Sequence, residues 1–301
     1  MSRGHSPSHR PAWQEKPSPV LTVLKAIFLV AVSLSILLPL LTVVSTSLST
    51  EQQIVDAGGY VLLPTNGVTF EAYATLFRGP FMTQALLVSV FVTVLGTLLA
   101  LFVTITMAYA TSRPVLFGRP VLLLVLFTLL FAPGLIPMFL MVRQLGMLDT
   151  VWSLILPTCF SAFNFVVMRG FFMNIPGELI EAARMDGASD FTILWRVVLP
   201  LSKAVVAVVG LFYAVGFWNA FFNALLYIQR RTDLYPVQVI LRSYVIQGSS
   251  LAADQLGVDR VPPPQSLQMA IVMVALVPIL CVYPFLQRHF TKGVITGAVK
   301  G

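Results

Sequence analysis

Long apolar runs broken by short charged or turn-rich segments set the pattern of this chain. Six runs are long enough to cross a bilayer: 20–48, 84–110, 119–142, 150–172, 204–228 and 267–288. A helix of about 20 apolar residues spans a hydrocarbon core about 30 Å thick. Apolar and polar residues do not alternate within the runs, so the pattern predicts helices rather than the strands of a barrel. Pro39, Pro133, Pro137, Pro157, Pro278 and Pro284 lie in or at the ends of these runs and predict kinks. The first run exceeds a secretory h-region and lacks an A-x-A-like site after it, so it is expected to stay as an anchor.

The segments between the runs differ in character. Residues 1–19 are rich in Ser, Pro, His and Arg and are expected to form a disordered tail. Residues 49–83 carry the turn formers Gly58, Gly59, Pro64 and Asn66, then a short helical stretch at Thr69–Tyr73. Residues 229–266 open with LYPVQVILRSYVIQ, an amphipathic stretch suited to an interfacial or re-entrant helix, and Pro262-Pro263-Pro264 closes the segment. The membrane-embedded domain is expected over 20–301.

Composition sharpens this. Of 301 residues, 57% are hydrophobic and only 10% charged, and the mean hydropathy is +0.87. A soluble domain carries about 25% charged residues. Of the 19 Lys and Arg, 13 fall on one side of the membrane if the N-terminus is cytoplasmic, and six on the other. The positive-inside bias then predicts both termini in the cytoplasm. The same bias accounts for the net charge of +7, so nucleic acid is not an expected partner.

The cytoplasmic side then receives the one charged island, 174–203, with Glu178, Glu181, Asp186 and Asp190 against Arg184, Arg196 and Lys203. Pro176 suits the first turn of a helix, and Glu178 and Glu181 suit its positive end. Gly187 supplies a turn. Ser189 or Asp190 can cap a second helix with Phe191, Leu194, Trp195 and Val198 as its apolar stripe, ended by Pro200. A lipid-lying helix would be richer in Lys and Arg, so a docking surface for another protein is expected.

Motifs for chemistry are missing. There is no G-x-x-x-x-G-K-[ST] to hold ATP phosphates, no G-x-S-x-G, and no His/Cys/carboxylate set at metal spacing. His5 and His9 belong to a solvated tail, and Cys159 and Cys281 sit inside spans. No enzyme, metal or cofactor is expected, and any energy must come from another chain. Polar residues inside spans point to a solute path. Gly216, Asn219, Asn223 and Tyr227 recur at spacings of three and four in the fifth run, with Phe212 extending the face. They either line a path or bond neighbouring helices, and Asn164 in the fourth run has the same two readings. Arg169 is expected to reach the headgroups.

Glu181-Ala182-Ala183, Asp186-Gly187-Ala188 and Val198-Leu199-Pro200 resemble the EAA loop of ABC importer permeases. Phe217-Trp218-Asn219 and the ending YPFLQRHFTKGVITGAVKG are similar to the carbohydrate branch, and LYPVQVILRSY to its complex-saccharide and aldouronate subgroup. The resemblance implies an all-α polytopic permease of the type I importer (MetI-like) fold with six spans. It implies that Glu181, Ala182, Ala183, Asp186, Gly187, Leu199 and Pro200 contact a cytoplasmic ATPase. It further implies a second homologous permease, two ATPase subunits and an extracytoplasmic solute-binding protein as partners, in a bacterial cell membrane. The solute is then a carbohydrate, with a polyamine, amino acid or phosphate as the alternative.

Overall fold

A computed structural model describes residues 18–64, 67–115, 117–247 and 264–298, the side chains of 245–247, 264 and 283–298 excepted. The expected tail, His5, His9 and Pro262-Pro263 lie outside these residues. The described residues are helical, without a strand: α1 (Pro19–Ser47), α2 (Glu51–Asp56), α3 (Glu71–Leu76), α4 (Pro80–Thr111), α5 (Gly118–Leu130), α6 (Leu135–Gln144), α7 (Trp152–Ile155), α8 (Ala162–Met173), α9 (Gly177–Met185), α10 (Asp190–Ile193), α11 (Leu199–Leu201), α12 (Lys203–Trp218), α13 (Phe221–Tyr227), α14 (Val237–Gln247) and α15 (Pro264–Ala298).

Three of the apolar runs form continuous helices. α1 has 29 residues and α4 has 32, about 44 and 48 Å at 1.5 Å per residue. α15 has 35 and tolerates Pro278 and Pro284. Ser18 caps α1 by accepting the Leu21 N–H at 3.2 Å, ahead of Pro19 in the first turn. The other long segments are broken, and each bent pair makes one crossing if the count is to reach six.

The expected third span, 119–142, is not one helix. α5 and α6 meet at 119°. Pro133 drives the residue before it out of the helical region and Gly134 adds no stiffness. α5 has 13 residues, about 20 Å, too short to cross alone. The fourth, 150–172, runs through α7 and a 3-10 turn containing Pro157, breaks at 159–161, and resumes as α8 at 52°. The fifth, 204–228, stops at Trp218 and restarts at Phe221. No proline lies there. The Val215 carbonyl accepts both the Asn219 backbone N–H at 3.1 Å and the Asn219 side-chain amide at 2.9 Å, and the Ala220 N–H turns back to Phe217 at 3.3 Å, so the helix closes here.

Pro200 does not end the docking helix either. A π-turn over Leu194–Val198 precedes it, α11 carries the chain on, and the bend into α12 comes at Ser202, where the two directions differ by 87°. Pro200 has no N–H to bond four residues back, and the widened turn absorbs that loss.

The core is built on α4 and α12, the most extensive helix pairing. Small residues recur along the buried face of α4: Ala85, Ser89, Gly96, Ala100, Thr104 and Ala108. They let α12 approach closely, which is how helices associate where no hydrophobic effect operates between them. At Gly96 an added Cβ would lie 2.8 Å from the Phe217 ring, and at Gly210 3.2 Å from a Leu101 methyl. A second cluster gathers around Trp218, whose indole N–H donates to the Ala275 carbonyl at 3.2 Å. α14, on the stretch expected to be an amphipathic helix, joins that cluster through Val237, Ile240 and Tyr244, and the Val237 N–H donates to Ser89 Oγ at 2.8 Å.

The packing predicts an asymmetry between two glycines. Gly96→Ala should destabilise the protein by about 1–3 kcal/mol, because a rigid ring must move. Gly210→Ala should cost well under that, because a Leu101 methyl can yield. Thermal unfolding of the two variants in detergent would show it, and equal midpoints would refute the Gly96–Phe217 contact.

Candidate functional site

Two places carry the residues singled out from the sequence. The first is the loop 174–203. α9 ends in a Schellman motif: the Ala188 N–H bonds the Ala183 carbonyl at 3.0 Å and the Gly187 N–H bonds that of Arg184 at 2.9 Å. Gly187 has φ +76°, a conformation that a side chain disfavours. The spacing from Glu181-Ala182-Ala183 to Gly187 thus encodes a turn as well as a surface. Ser189 caps α10 by accepting the Thr192 N–H at 3.3 Å. Arg184 reaches across the turn to Asp190 at 3.2 Å, an exposed pair of the kind that contributes roughly 0–1 kcal/mol.

Glu181, Ala182, Asp186, Gly187 and Pro200 are exposed, while Ala183 and Leu199 are half-buried against the bundle. Ile180, Ile193, Leu194 and Val198 are buried and pin the loop to the core. The stripe expected on the second helix is therefore split. Leu194 and Val198 face inward, whereas Phe191 and Trp195 face outward, 68% and 50% exposed, with ring centroids 5.9 Å apart. Met185 stands 88% exposed beside them. A groove of about 510 Å³ runs between the helices, lined by Asp186, Gly187, Ser189, Thr192 and Arg196 among others. Arg169 joins α8 to the end of α4, where its Nε donates to the Thr111 carbonyl at 3.0 Å.

The second place is a cavity of about 440 Å³ where the fourth and fifth spans break. Thr158, Ser161, Phe163, Asn164, Phe212, Tyr213, Gly216, Phe217, Ala220 and Asn223 line it. Asn164, Gly216 and Asn223 are brought together as the spacing suggested. Asn219 and Tyr227 are not among the lining residues. The break at 219–220 shifts the phase of α13 relative to α12, so Asn219 caps α12 and Tyr227 turns its buried ring onto Phe139, centroids 6.4 Å apart. Thr158, Ser161, Phe163 and Tyr213 were not singled out from the sequence, although a Ser at the start of an apolar run is a cap signal.

Tyr213 holds the cavity together. Its hydroxyl accepts the Ser161 N–H at 3.0 Å and lies 2.7 Å from Thr104 Oγ1. Ser161 Oγ in turn accepts the Asn164 N–H at 3.3 Å and starts α8. The freed backbone of the fourth span is thereby satisfied from the fifth, and Thr104 ties both to α4. Phe163 and Phe212 form a flat tilted pair, centroids 6.3 Å apart. A Cβ on Gly216 would meet nothing within 4 Å.

The far end of the bundle is closed by Asp149, a non-glycine residue at φ +57°. Its carboxylate accepts the backbone N–H groups of Gln229 and Arg230, each at 2.7 Å, and of Arg231 at 3.3 Å, while its own N–H bonds the Tyr227 carbonyl at 3.0 Å. These bonds hold the carboxyl below its ordinary 3.8, the Arg230 N–H most strongly, with partial desolvation opposing. Among the described residues no group of His, Cys, Asp and Glu side chains could hold a metal ion.

Broken spans around a cavity lined by amide, hydroxyl and aromatic side chains, with an exposed charged loop at one end, form the frame of a membrane protein. The family model for "Binding-protein-dependent transport system inner membrane component" matches residues 96–296. The polygalacturonan/rhamnogalacturonan transport system permease protein YtcP of Bacillus subtilis (strain 168) is 44% identical over 277 residues, 91% of this chain and 96% of that one. LplC of the same organism is 42% identical over 288 residues, 95% and 97% of the two chains. A solved bacterial ABC transporter involved in the import of the acidic polysaccharide alginate shares 29% identity at a TM-score of 0.84, covering 93% of this chain and 100% of that one. The chain belongs to the family of binding-protein-dependent transport system inner membrane components. It is a multi-pass permease subunit of an ABC importer in the cell membrane, with the all-α type I importer fold.

Two outcomes follow from the polar ties. Tyr213→Phe leaves the Ser161 N–H without its acceptor and should cost about 1–3 kcal/mol, with faster amide exchange at 161–164. Unchanged exchange there would contradict the role given to the hydroxyl. Asp149 has a depressed pKa, so its contribution is present above the unfolded value and lost as pH falls through the folded one. The wild type should lose stability in that acid range. Asp149→Asn should be less stable at neutral pH and lack this dependence, as melts from pH 7 to pH 3 would reveal.

Proposed function

We propose that this permease carries a saccharide and is driven through the loop 174–203 by cytoplasmic ATPases. The docking loop is the observation that supports this most. A Schellman turn and a capped second helix present Glu181, Ala182, Asp186 and Gly187 beside Met185, Phe191 and Trp195. Small, charged and large apolar residues on one rigid protrusion suit insertion into a protein cleft. Ala183, Leu199 and Pro200 complete the set, the first two as its seat on the bundle. This reading places the loop and both termini in the cytoplasm. A second, homologous permease would supply the other half of the path, and an extracytoplasmic solute-binding protein would deliver the solute.

The cavity supports a saccharide. Asn164 and Asn223 offer donors and acceptors to hydroxyl groups, and the Phe163–Phe212 pair offers flat apolar faces to sugar rings. The relatives named for polygalacturonan and alginate carry the same implication. None of the lining side chains is charged, so the cavity offers no ion pair to a polyamine, an amino acid, phosphate or a uronate, and the hydroxyl-bonding amides with the named relatives are what favour a saccharide over the alternatives. Asn219 and Tyr227 lie outside the cavity lining, the first capping α12 and the second packed on Phe139.

Uptake of a labelled galacturonan oligosaccharide into vesicles containing the whole importer tests both parts. Glu181→Lys and Gly187→Asp should abolish uptake with membrane insertion intact, and the unmodified chain should co-purify with an ATPase and a second permease. Gly216→Leu should block uptake while leaving the ATPases bound, since the added side chain enters open space. Normal transport by all three variants would remove the basis for the proposal.

A further inference from the structure

Arg113 follows the last turn of α4, at the same end of the bundle as the docking loop. Its guanidinium carbon stands 5.2 Å from the centroid of the Tyr109 ring. Its Nε and Nη2 are buried and bonded to nothing, and the Tyr109 hydroxyl is in the same condition. Those two nitrogens form the edge of a guanidinium that receives a carboxylate through two parallel hydrogen bonds. Buried donors left without partners are costly, and charged ones most of all.

An acid is close by on the docking loop. The Asp190 carboxylate lies close enough to the Tyr109 hydroxyl to act on it, as do the Arg113 and Arg184 guanidiniums, and the hydroxyl itself remains without a well-formed hydrogen bond. Asp190 is held instead by Arg184, with side chains 70% and 55% exposed. Water competes for such a pair, so it breaks at little cost. One carboxylate thus stands near two guanidiniums, an exposed one that binds it and a half-buried one whose Nε and Nη2 make no hydrogen bond.

We infer that Arg113 is a coupling residue, whose Nε–Nη2 edge receives the Asp190 carboxylate from Arg184 when the docking loop moves. The Tyr109 hydroxyl then donates to the same carboxylate. The exchange joins α10 to the end of α4. Thr104, seven residues back from the end of α4 or about 10 Å, bonds Tyr213 at the cavity. The inference rests on the docking reading of the loop and extends it to a specific polar contact.

The test uses the complete importer reconstituted in vesicles of zwitterionic lipid, and again with added anionic lipid. Co-purification of the ATPases, ATP hydrolysis and uptake of the labelled galacturonan oligosaccharide are read separately. Arg113→Gln and Asp190→Asn should each lower uptake per ATP hydrolysed about tenfold, inside the 5- to 150-fold range usual for coupled sites, with the ATPases still bound. The double variant should be no worse than either single one. Arg113→Lys keeps the charge and guards against misfolding, and should fall between wild type and Arg113→Gln. Arg184→Gln removes the resting partner and should raise ATP hydrolysis without solute. Wild-type coupling in Arg113→Gln, or losses that multiply in the double variant, would overturn the exchange. So would a loss seen only with anionic lipid, which would assign Arg113 to a headgroup phosphate. If the unmodified chain fails to bind ATPases, the docking reading itself falls, a result distinct from the others.

Discussion

Backbone groups freed by a broken helix must find partners inside the protein when the surroundings are lipid, and the opening of the fourth span shows how this bundle meets that constraint. The Tyr213 hydroxyl is its centre. It satisfies the Ser161 N–H where the fourth span opens and anchors itself on Thr104 of α4. Asn219 closes the end of α12 with its own side chain, Arg169 covers the Thr111 carbonyl, and Asp149 gathers three N–H groups beyond α13. The cavity exists because the chain can leave the helical path there without leaving polar groups bare.

The charged loop 174–203 and the cavity share one frame. The loop enters α12 through a π-turn, Pro200 and a bend at Ser202. Its inner face is locked by Ile193, Leu194 and Val198, and α12 carries Tyr213, Gly216 and Phe217 to the cavity. The seam of small residues on α4 holds α12 close, with Phe217 laid on Gly96. A displacement of the loop therefore acts on a packed pair of helices rather than on a flexible tether. Close-packed interiors transmit strain because they have little free volume to absorb it.

Local signals were legible wherever they acted through neighbours in the chain. Gly187 after the E-A-A stretch, Ser189 before α10 and Pro133 in the third apolar run each set the backbone within one turn of themselves. Asn164, Gly216 and Asn223 were recoverable because the spacing on each side of the breaks is helical. Asn219 and Tyr227 are not on the cavity wall with them, because the three-and-four spacing runs unbroken through 219–220 while the helix does not. Tyr213 was invisible because a tyrosine among Val, Phe and Ala reads as an ordinary core aromatic. Phe191 and Trp195 seemed one stripe with Leu194 and Val198, and the π-turn with the docking of the loop decided which of the four would face outward.

The sequence by itself determined a polytopic helical chain, the placing of its apolar runs, the charged island between the fourth and fifth of them, and the turn at its middle. Hydrophobic length, proline, glycine and capping residues act over a few positions and need no tertiary context. Only the tertiary structure decided where the spans open and which polar groups meet at the openings. A broken helix is stable when a distant residue supplies the missing hydrogen bond, as Tyr213 does for Ser161 across 52 positions, and that supply is a property of packing rather than of any local pattern.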